Sequence, residues 1–571
     1  MLYRLTTQFR TDATGTRLSD AVKPTTQFRT DATGTRLPDA ATPDIAVAAR
    51  HYRARDFAAA AHACDAILQR QPGHFDALHL RGVLHLEQSA PEDALACLRL
   101  AEQQRPDDPQ LQFHIGNVLL ALKRHDLAVA AFRRSLALRP GDFDALNNLG
   151  NALSGLLRHP EAIACFRQAL AIRPDAPPTL YNLGQALQAL DRLEEAADSF
   201  RAALAGVGPA VERGRLIDLY SGLGKTLVQQ GHHDDVLAFL RSAPGSIADA
   251  APIQWNESLA LLMLGDYAAG WRKYECRFQV AEHDPPRAAA VVLDLDRVAG
   301  QRVLVFPEQG RGDMIQFARY LPLLAARGAQ VLVEMSADLK PLFETIDGVA
   351  AVVTPDTVPP ACDRLTPLLS LPLAFGTALD NVPAAVPYLR VPDARMLRWA
   401  AQLGPRTKPR IGIAWWGSQH IARRSMPIAT LAPVLTISAL ECHALQKEIP
   451  TPDQDWLAAH GLVATHCAGL QDFADTAALI AQMDLVISID TSVAHLAGAL
   501  GKPVWIMLPF SADWRWLRDR EDSPWYPTAR LFRQPQRGAW HDVVQRVAEA
   551  LSERFKHEIE RDQHRVFPSH Q

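Results

Sequence analysis

The sequence predicts two structural parts, an α-helical repeat superhelix followed by an α/β region of two doubly wound lobes. Three observations support this fold class. Columns of residues recur every 34 positions between residues 44 and 207, which is typical of repeat proteins. Short β-branched runs alternate with helical segments from residue 301 onward, as they do in parallel sheets. A length of 571 residues with 48% hydrophobic content suffices for several separate cores.

The repeat region contains four columns with one period. The columns consist of prolines (Pro72, Pro106, Pro140, Pro174), glycines (Gly82, Gly116, Gly150, Gly184), alanines (Ala60, Ala94, Ala128, Ala162, Ala196) and large apolar residues (Leu98, Phe132, Phe166, Phe200). Between the prolines, apolar residues at i, i+3 and i+4 predict two short helices per unit. The small residues let the two helices approach closely. Each proline ends a second helix because it lacks an N–H and clashes with the preceding turn.

These columns resemble those of the tetratricopeptide repeat. The resemblance implies a repeat array over 44–207, stacked into a superhelix whose groove binds a peptide or another protein surface. Weaker helix pairs at 222–241 and 255–278 extend the pattern, so we predict degenerate helical repeats over 208–282.

Polar residues two positions before three of the glycines would project at equivalent points of the groove: His114, Asn148 and Asn182. One hypothesis is that they hydrogen-bond a peptide backbone, as an asparagine ladder does in the repeat-bearing O-GlcNAc transferases. The alternative is that they are solvated or cap-forming polar residues.

The start of the chain differs in composition from the repeats. The segment TTQFRTDATGTRL at 6–18 recurs at 25–37, and it is rich in Thr, Asp and Gly without apolar periodicity. We predict that 1–43 is a disordered duplicated leader; an over-long translation start is the alternative.

Composition excludes several functional classes. With 59 Lys and Arg against 63 Asp and Glu, the net charge is −4, and no basic patch suggests a nucleic-acid partner. Seven scattered cysteines without a CxxC pair favour reduced thiols over disulfides or zinc. We find no signal peptide and no membrane span of about 18 apolar residues, so we expect a soluble cytoplasmic protein.

After a proline- and alanine-rich linker over 283–300, the α/β pattern predicts one lobe over 301–395 and a second over 396–555, with a charged tail over 556–571. Ligands of open parallel sheets bind at the carboxyl ends of strands. The turns after Phe306, Trp416 and Ile489 are therefore the candidate site.

The first of these turns is EQGRGD at 308–313. Gly310 and Gly312 permit a tight strand-to-helix turn with close backbone approach. Asp313 stands at a helix N-terminus facing the crevice between the lobes. It is either a catalytic acid or base, or a simple capping carboxylate.

The turn after Ile489 reads DTSVAH, from Asp490 to His495. The hydroxyls of Thr491 and Ser492, the unsatisfied N–H groups and the helix dipole suit a phosphate or diphosphate. A plain N-cap is the alternative, and His495 is either packed or ligand-contacting.

The middle turn contains Gly417 and Ser418, followed by Arg423 and Arg424. Guanidinium is the donor best shaped for phosphate oxygens. A solvated surface pair is the alternative for the two arginines.

Several motifs together resemble the ADP-heptose:lipopolysaccharide heptosyltransferases of glycosyltransferase family 9. They are VLVFPEQGRGDMIQFARYLPLL, IGIAWWGSQH with RRSMP, LQK at 445–447, DTAALIAQMDLVISIDTSVAHLAGALGKPVWIMLPF, and DWRW with REDSPWYP. The resemblance implies a GT-B fold, with the nucleotide-diphosphate sugar on the second lobe, the acceptor on the first lobe, and no cofactor. The order of repeats and transferase is similar to O-GlcNAc transferase.

The resemblance also assigns residues. Asp313 matches the family's base, and Arg424 stands where these enzymes place a lysine on the diphosphate. Gly310, Gly312, Gly417, Ser418, Lys447, Asp490, Thr491, Ser492 and His495 fall on donor-binding segments.

The expected function is inverting, metal-free sugar transfer to a hydroxyl of a protein recruited by the repeats. A DxD sequence at Asp294 and Asp296 lies in the linker, so we predict no metal site there. The alternatives are an interaction scaffold with an inactive transferase module, and a transferase that acts on glycan or lipopolysaccharide.

Overall fold

The structure is a computed structural model that describes residues 43–208, 211–280, 292–358, 360–417 and 424–566. The predicted leader therefore lies outside the described residues, apart from its last position. The chain divides into two compact units, Met1–Gln230 with Ala243–Ile253, and Gly231–Ser242 with Gln254–Gln571.

The first unit is helical. Its helices are α1 (Pro43–Arg53), α2 (Phe57–Arg70), α3 (Phe75–Glu87), α4 (Pro91–Gln104), α5 (Pro109–Ala121), α6 (His125–Leu138), α7 (Phe143–Gly155), α8 (His159–Ile172), α9 (Pro177–Ala189), α10 (Leu193–Ala205) and α11 (Arg213–Gln230). Four of them, α2, α4, α6 and α8, end two residues before the periodic prolines, as the sequence predicts. Successive helices from α1 to α10 pack against each other in pairs, and the second helix of four pairs ends where the prolines predict.

Within each pair, the glycine column faces the large apolar column. A Cβ added to Gly116 would lie 2.5 Å from Phe132, and one added to Gly150 would lie 2.4 Å from Phe166. Both distances are far inside van der Waals contact. The predicted close approach of the two helices is therefore confirmed, and its cause is the ring that occupies the space of the missing side chain.

The described residues of the second unit form ten strands: β1 (Arg302–Phe306), β2 (Gln330–Glu334), β3 (Val349–Val353), β4 (Arg364–Pro367), β5 (Arg410–Ala414), β6 (Glu441–Ala444), β7 (Val463–Ala464), β8 (Leu485–Ile489), β9 (Val504–Leu508) and β10 (Ala529–Arg533). They form two parallel sheets with the orders β3-β2-β1-β4 and β10-β9-β8-β5-β6-β7. Every residue of β5, β8 and β9 is buried, as expected for central strands covered on both faces.

The second unit also contains helices. They are α12 (His233–Arg241), α14 (Tyr267–Tyr274), α15 (Arg311–Phe317), α16 (Tyr320–Ala326), α17 (Lys340–Phe343), α18 (Leu371–Ala374), α19 (Asp393–Leu403), α20 (Ala432–Leu435), α21 (Thr451–His460), α22 (Phe473–Ala481), α23 (Ser492–Ala499), α24 (Trp540–Arg554) and α25 (Lys556–Val566), while α13 (Ala251–Met263) crosses the division between the units. No helix in the described ranges has an apolar stretch of the length needed to cross a bilayer.

The core of the second unit includes aromatic residues from outside the predicted lobes. Helix α14 inserts Trp271, whose ring centroid is 5.2 Å from that of Trp514. The Trp525 indole N–H donates to the Tyr267 hydroxyl over 3.1 Å. Helix periodicity predicts that this segment continues the repeats, whereas its aromatic side chains fill the core of the α/β unit. Periodicity alone cannot reveal which core an amphipathic helix covers.

Candidate functional site

Asp313 lies in the first turn of α15, directly after β1 and its turn. Its Oδ2 accepts the backbone N–H of Gly310 over 2.9 Å, and its Oδ1 is paired with the Arg515 guanidinium. The Asp313 side chain is 19% exposed. The carboxylate thus caps its own helix, as the simpler interpretation expects, and it is also held by a charged partner and open to solvent on one side.

The same turn is braced from the other side by a short 3-10 helix, Glu275–Gln279. Arg277 is completely buried and donates to both oxygens of Glu308 over 2.7 and 2.9 Å. The Gln309 amide donates to the Tyr274 hydroxyl over 2.9 Å. Burial raises the pKa of Glu308, and the guanidinium opposes that rise.

Sequence reasoning missed this brace. Its residues lie in the segment that we predicted as degenerate repeats. The indication that the sequence offers is the acid and base of Glu275 and Arg277 next to the aromatic residues Tyr274 and Phe278.

Arg515 belongs to a 3-10 helix, Trp514–Trp516, that follows β9. Besides Asp313, it contacts Asp513 Oδ1 over 2.7 Å and donates from Nε to Gln316 Oε1 over 2.6 Å. Only 7% of its side chain is exposed. The sequence shows this arginine within DWRW but assigns it no role, because no local pattern connects it with Asp313.

The turn after β8, which begins with Asp490, joins the same network. Arg424 Nη1 lies 3.2 Å from Asp490 Oδ2, and its Nη2 lies 3.4 Å from Asp513 Oδ2. Asp313, Arg515, Asp513, Arg424 and Asp490 therefore form one continuous series of ion pairs, which we call the charge network. The sequence predicted three of its members from three separate turns.

Burial and charge act differently on two acids of the network. Burial raises the pKa of Asp490, opposed mainly by the Arg424 guanidinium. Burial also acts to raise the pKa of Asp513, but Arg515 and Arg424 together outweigh it and hold that pKa below its usual range. Asp513 is therefore the more firmly ionised of the two carboxylates.

His495 is packed beside the network. Its Nδ1 is 3.0 Å from the Tyr526 hydroxyl, and its ring stacks on Trp516 with centroids 5.3 Å apart. Burial lowers the pKa of His495 to about 3. The ring is consequently neutral near pH 7, and its Nε2 lies 3.9 Å from Asp490 Oδ1.

The glycines of the site allow contacts between elements. A Cβ on Gly312 would lie 2.9 Å from His495 Cδ2. The group that closely approaches the Gly312 backbone is therefore a side chain of helix α23. A Cβ on Gly417 would lie 3.1 Å from Thr491 Cγ2. A Cβ on Gly310 would lie 3.1 Å from Asp313 Oδ2.

Helix α23 begins after Thr491 without a side-chain cap in the described chain. The Thr491 hydroxyl instead lies 3.2 Å from Ser488 Oγ, and both Thr491 and Ser492 are partly exposed. First-turn N–H groups without a side-chain acceptor can meet an anion, and binding of a phosphate at this turn stays a prediction.

Two other predicted donor residues stand apart from this group. Lys447 is exposed and donates from Nζ to the carbonyl of Gln471 over 3.1 Å. Ser418, like Arg423, lies outside the described residues. The contact described for Lys447 is thus to a backbone carbonyl and not to the charge network.

The predicted groove residues are buried and face neighbouring helices. His114 Nδ1 is 2.6 Å from His79 Nε2. Asn148 donates to Asn117 over 2.8 Å, and Asn182 donates to Asn147 over 3.4 Å. Their polar groups thus connect successive helix pairs, and contact with a peptide stays a prediction.

Elsewhere in the second unit, a cavity of about 600 Å³ opens beside the amino ends of β5 and β8. Among its charged lining residues, Arg406 pairs with Asp484 over 2.7 Å and Asp562 accepts the Ser438 hydroxyl over 2.7 Å. It lies at the strand ends opposite to Asp490. The described residues contain no group of three His, Cys, Asp or Glu suited to a metal ion.

Comparison with protein families matches both parts of the chain. Residues 48–109, 107–175 and 147–210 match tetratricopeptide repeat models, and residues 454–508 match glycosyltransferase family 9 (heptosyltransferase). The chain joins tetratricopeptide repeats to a family 9 segment. This segment includes the turn from Asp490 to His495 and is a short part of the second unit.

A relative named Protein FlbA, from Caulobacter vibrioides, is 32% identical over 352 residues, which are 56% of this chain and 57% of FlbA. The chain thus spans little more than half the length of that relative. Similar solved structures include MamA from Desulfovibrio magneticus RS-1, 22% identical over 30% of this chain and 92% of MamA, with a TM-score of 0.28. Another is PilW, a type IV pilus biogenesis factor, 20% identical over 37% of this chain and 96% of PilW, with a TM-score of 0.34.

Proposed function

We propose that the second unit is a GT-B glycosyltransferase that moves a sugar from a nucleotide-diphosphate sugar to a hydroxyl acceptor with inversion. The observation that carries the proposal is the charge network. It brings Asp313, at the end of β1, into one set of contacts with Arg424 and Asp490, at the carboxyl ends of the second sheet. A proton acceptor and a phosphate-binding turn are the two parts that such a transfer requires.

Asp313 would act as the general base on the acceptor hydroxyl. Each of its oxygens accepts one described hydrogen bond, and a carboxylate oxygen has two lone pairs, so one lone pair on each remains for the substrate. The acceptor oxygen bonds to the anomeric carbon as its proton passes to Asp313. General-base assistance of this kind contributes typically about 10²–10⁴-fold in rate.

The donor side would stabilise the leaving diphosphate. The bond from the anomeric carbon to the phosphate oxygen breaks on the face opposite to the attacking oxygen, which inverts the configuration. Arg424, the hydroxyls of Thr491 and Ser492, and the α23 N-terminus would meet the growing negative charge. These groups supply positive charge from the protein itself, so the proposal needs no metal ion.

The acceptor that we propose is a protein bound by the repeats. Support comes from the repeat matches, since stacked helix pairs usually bind peptides or protein surfaces. An inactive scaffold and a glycan-directed transferase are the competing functions. The donor screen below separates the scaffold from the two enzymes, and a turnover assay with saccharide alone as acceptor separates the enzymes from each other.

A thermal-shift screen of the full chain against ADP-, GDP-, UDP- and CMP-sugars tests the donor site. A ligand at 100 times its Kd stabilises the folded state by about 2.7 kcal/mol. We expect a shift with one nucleotide that is lost in Asp490→Ala and kept in Asp519→Asn, a highly exposed control. No shift with any donor would favour the scaffold, and turnover on saccharide alone would favour the glycan-directed enzyme.

A further inference from the structure

We propose that Arg424 and Arg515 form a two-arginine anion site for the phosphates of the donor, and that Asp513 occupies this site in the ligand-free protein. The inference rests on the proposed function and adds two residues, Arg515 and Asp513, to the donor site. It also makes Asp513 an internal competitor of the donor.

The geometry at Asp513 is that of a bridging anion. One carboxylate oxygen faces Arg515 over 2.7 Å, and the other faces Arg424 over 3.4 Å. Guanidinium groups contact phosphate through the same donor arrangement that they use for carboxylate. A phosphate that replaces the carboxylate therefore finds two guanidinium groups already converging on one position.

The location is the one where a donor is expected. Asp513 follows β9, Asp490 follows β8, and Arg424 follows β5 and its turn. These three strands are neighbours in the order β9-β8-β5. Their carboxyl ends thus lie side by side at the sheet edge where parallel sheets bind ligands, next to the N-terminus of α23 that lacks a side-chain cap.

Charge explains why Asp513 must leave. With all groups ionised, the charge network contains three carboxylates, from Asp313, Asp490 and Asp513, against the two guanidiniums of Arg424 and Arg515. A diphosphate that enters this set meets a net negative charge. Displacement of Asp513 frees one face of each guanidinium, while Arg515 still holds Asp313 and Arg424 still holds Asp490.

Exposure shows the direction of entry. The side chains of Arg424 and Asp513 are 22% and 20% exposed, whereas Arg515 is 7% exposed. A ligand from solvent therefore meets Arg424 first. Trp514 and Trp516 are buried on either side of Arg515, so rotation of the Asp513 side chain toward solvent can open the site without movement of these anchors.

A buried amide adds a further donor at the inner end. Gln316 is fully buried, and its Oε1 accepts from Arg515 Nε over 2.6 Å. Its Nε2 has no hydrogen-bond partner among the described residues. A buried donor without an acceptor is uncommon in folded proteins, and a phosphate oxygen is the kind of group that would satisfy it.

Calorimetric titration of the full chain with inorganic pyrophosphate tests the inference. Asp513→Asn keeps the side-chain oxygen that accepts the Arg515 backbone N–H over 3.1 Å, but it removes the competing charge. We expect about tenfold tighter binding of pyrophosphate than in the wild type, since one nearby charge readily changes affinity by that factor. Arg424→Gln should lose binding in either background.

Asp519→Asn is the matched control, because it makes the same charge change at a residue that is 89% exposed and outside the charge network. Its affinity should equal that of the wild type. If Asp513→Asn does not fold, as judged by circular dichroism, Asp513→Ser replaces it and keeps a capping hydroxyl.

Equal or weaker binding by the Asp513 variant than by the wild type would overturn the inference while leaving the donor site intact. Absence of pyrophosphate binding in the wild type and in every variant would overturn both the inference and the proposed donor site. Tighter binding in Asp519→Asn as well would also overturn it, because the effect would then come from net charge alone.

Discussion

At the scale of single residues, glycine has a different use in each unit. In the repeats, Gly82, Gly116, Gly150 and Gly184 leave room for Leu98 and the phenylalanine rings. At the site, Gly312 leaves room for His495. Both uses are tight packing between helices, and in neither case is the glycine required for an unusual backbone angle.

We predict that Gly150→Ala destabilises the repeats by up to about 2 kcal/mol. The new Cβ would lie 2.4 Å from Phe166, and overpacking of this kind costs about 1–3 kcal/mol. That cost exceeds the roughly 1 kcal/mol that alanine gains over glycine in a helix. Urea unfolding followed by circular dichroism measures the change.

Gly214→Ala is the matched control for this prediction. Gly214 is also helical, but a Cβ there would meet nothing within 4 Å. This variant should be neutral or slightly more stable. A Gly150 variant as stable as the Gly214 variant would mean that the Phe166 ring moves aside at little cost.

A second residue-scale prediction concerns Asp313. Asp313→Asn keeps an oxygen for the Gly310 N–H but removes the proton-accepting charge. We expect turnover of the donor identified by the screen to fall by about 10²–10⁴-fold, with the thermal shift from that donor retained. Steady-state rates and thermal shifts on the same samples measure both effects, and wild-type turnover in the variant would remove Asp313 from the mechanism.

At the scale of elements, the repeats keep one backbone geometry at each inter-helix turn. The residues with positive φ in these turns are 34 positions apart and have φ values between 57° and 59°: Arg55, Ser89, Lys123, Leu157 and Asp191. None is glycine, although L-residues rarely adopt this conformation. A local backbone hydrogen bond closes each turn, as the Arg124 N–H does when it donates to the Leu119 carbonyl over 2.8 Å, and such bonds are typical of helix ends with a left-handed residue. Exposed ion pairs such as Arg133 with Glu161 and Arg167 with Glu195 also recur at this spacing, although surface pairs add little stability.

The brace between the Glu275–Gln279 helix and the β1 turn gives an element-scale prediction. Arg277→Gln would leave Glu308 buried without its guanidinium, and breaking a buried pair costs about 3–5 kcal/mol. We therefore expect a large loss of stability in the second unit. Calorimetric thermal unfolding measures it.

The double variant Arg277→Gln with Glu308→Gln is the control, because it removes both charges and leaves two amides that can hydrogen-bond to each other. It should recover part of the loss. Equal stability of the single and double variants would show that the stability lost in Arg277→Gln does not come from the unpaired charge of Glu308.

At the scale of the whole molecule, buried neutral histidines should make the fold sensitive to acid. Burial lowers the pKa of His233 and of His443 to about 4, that of His495 to about 3, and that of His114 well below its usual value. In the unfolded chain these histidines bind protons from about pH 6.5 downward. In the folded chain they do not bind protons until the pH is near 4. Stability from these groups is therefore complete above pH 6.5 and is lost as the pH falls toward 4.

His233→Leu tests this expectation. Each such histidine contributes at most about 1.4 kcal/mol per pH unit in that window. Thermal unfolding of the wild type and the variant between pH 7.5 and 4.5 should show a shallower decline for the variant. Parallel declines would mean that His233 does not take part in the acid response.

The sequence by itself determined the local architecture of this protein. The 34-residue columns gave the helix pairs, their ends before Pro72, Pro106, Pro140 and Pro174, and the small residues that let them pack. β-branched runs gave the parallel strands and the turns at their carboxyl ends. These features follow from backbone periodicity and from the chemistry of proline and glycine, which act within a few residues.

Only the tertiary structure decided which of these turns meet. It placed Arg515 against Asp313, 202 positions away, and Asp513 against Arg424, 89 positions away. It also showed that Tyr274 and Arg277, in a segment predicted to be a repeat, contact the turn after β1. Such contacts depend on how whole elements pack around a shared core, and no local pattern in one sequence encodes a pairing between side chains that far apart along the chain.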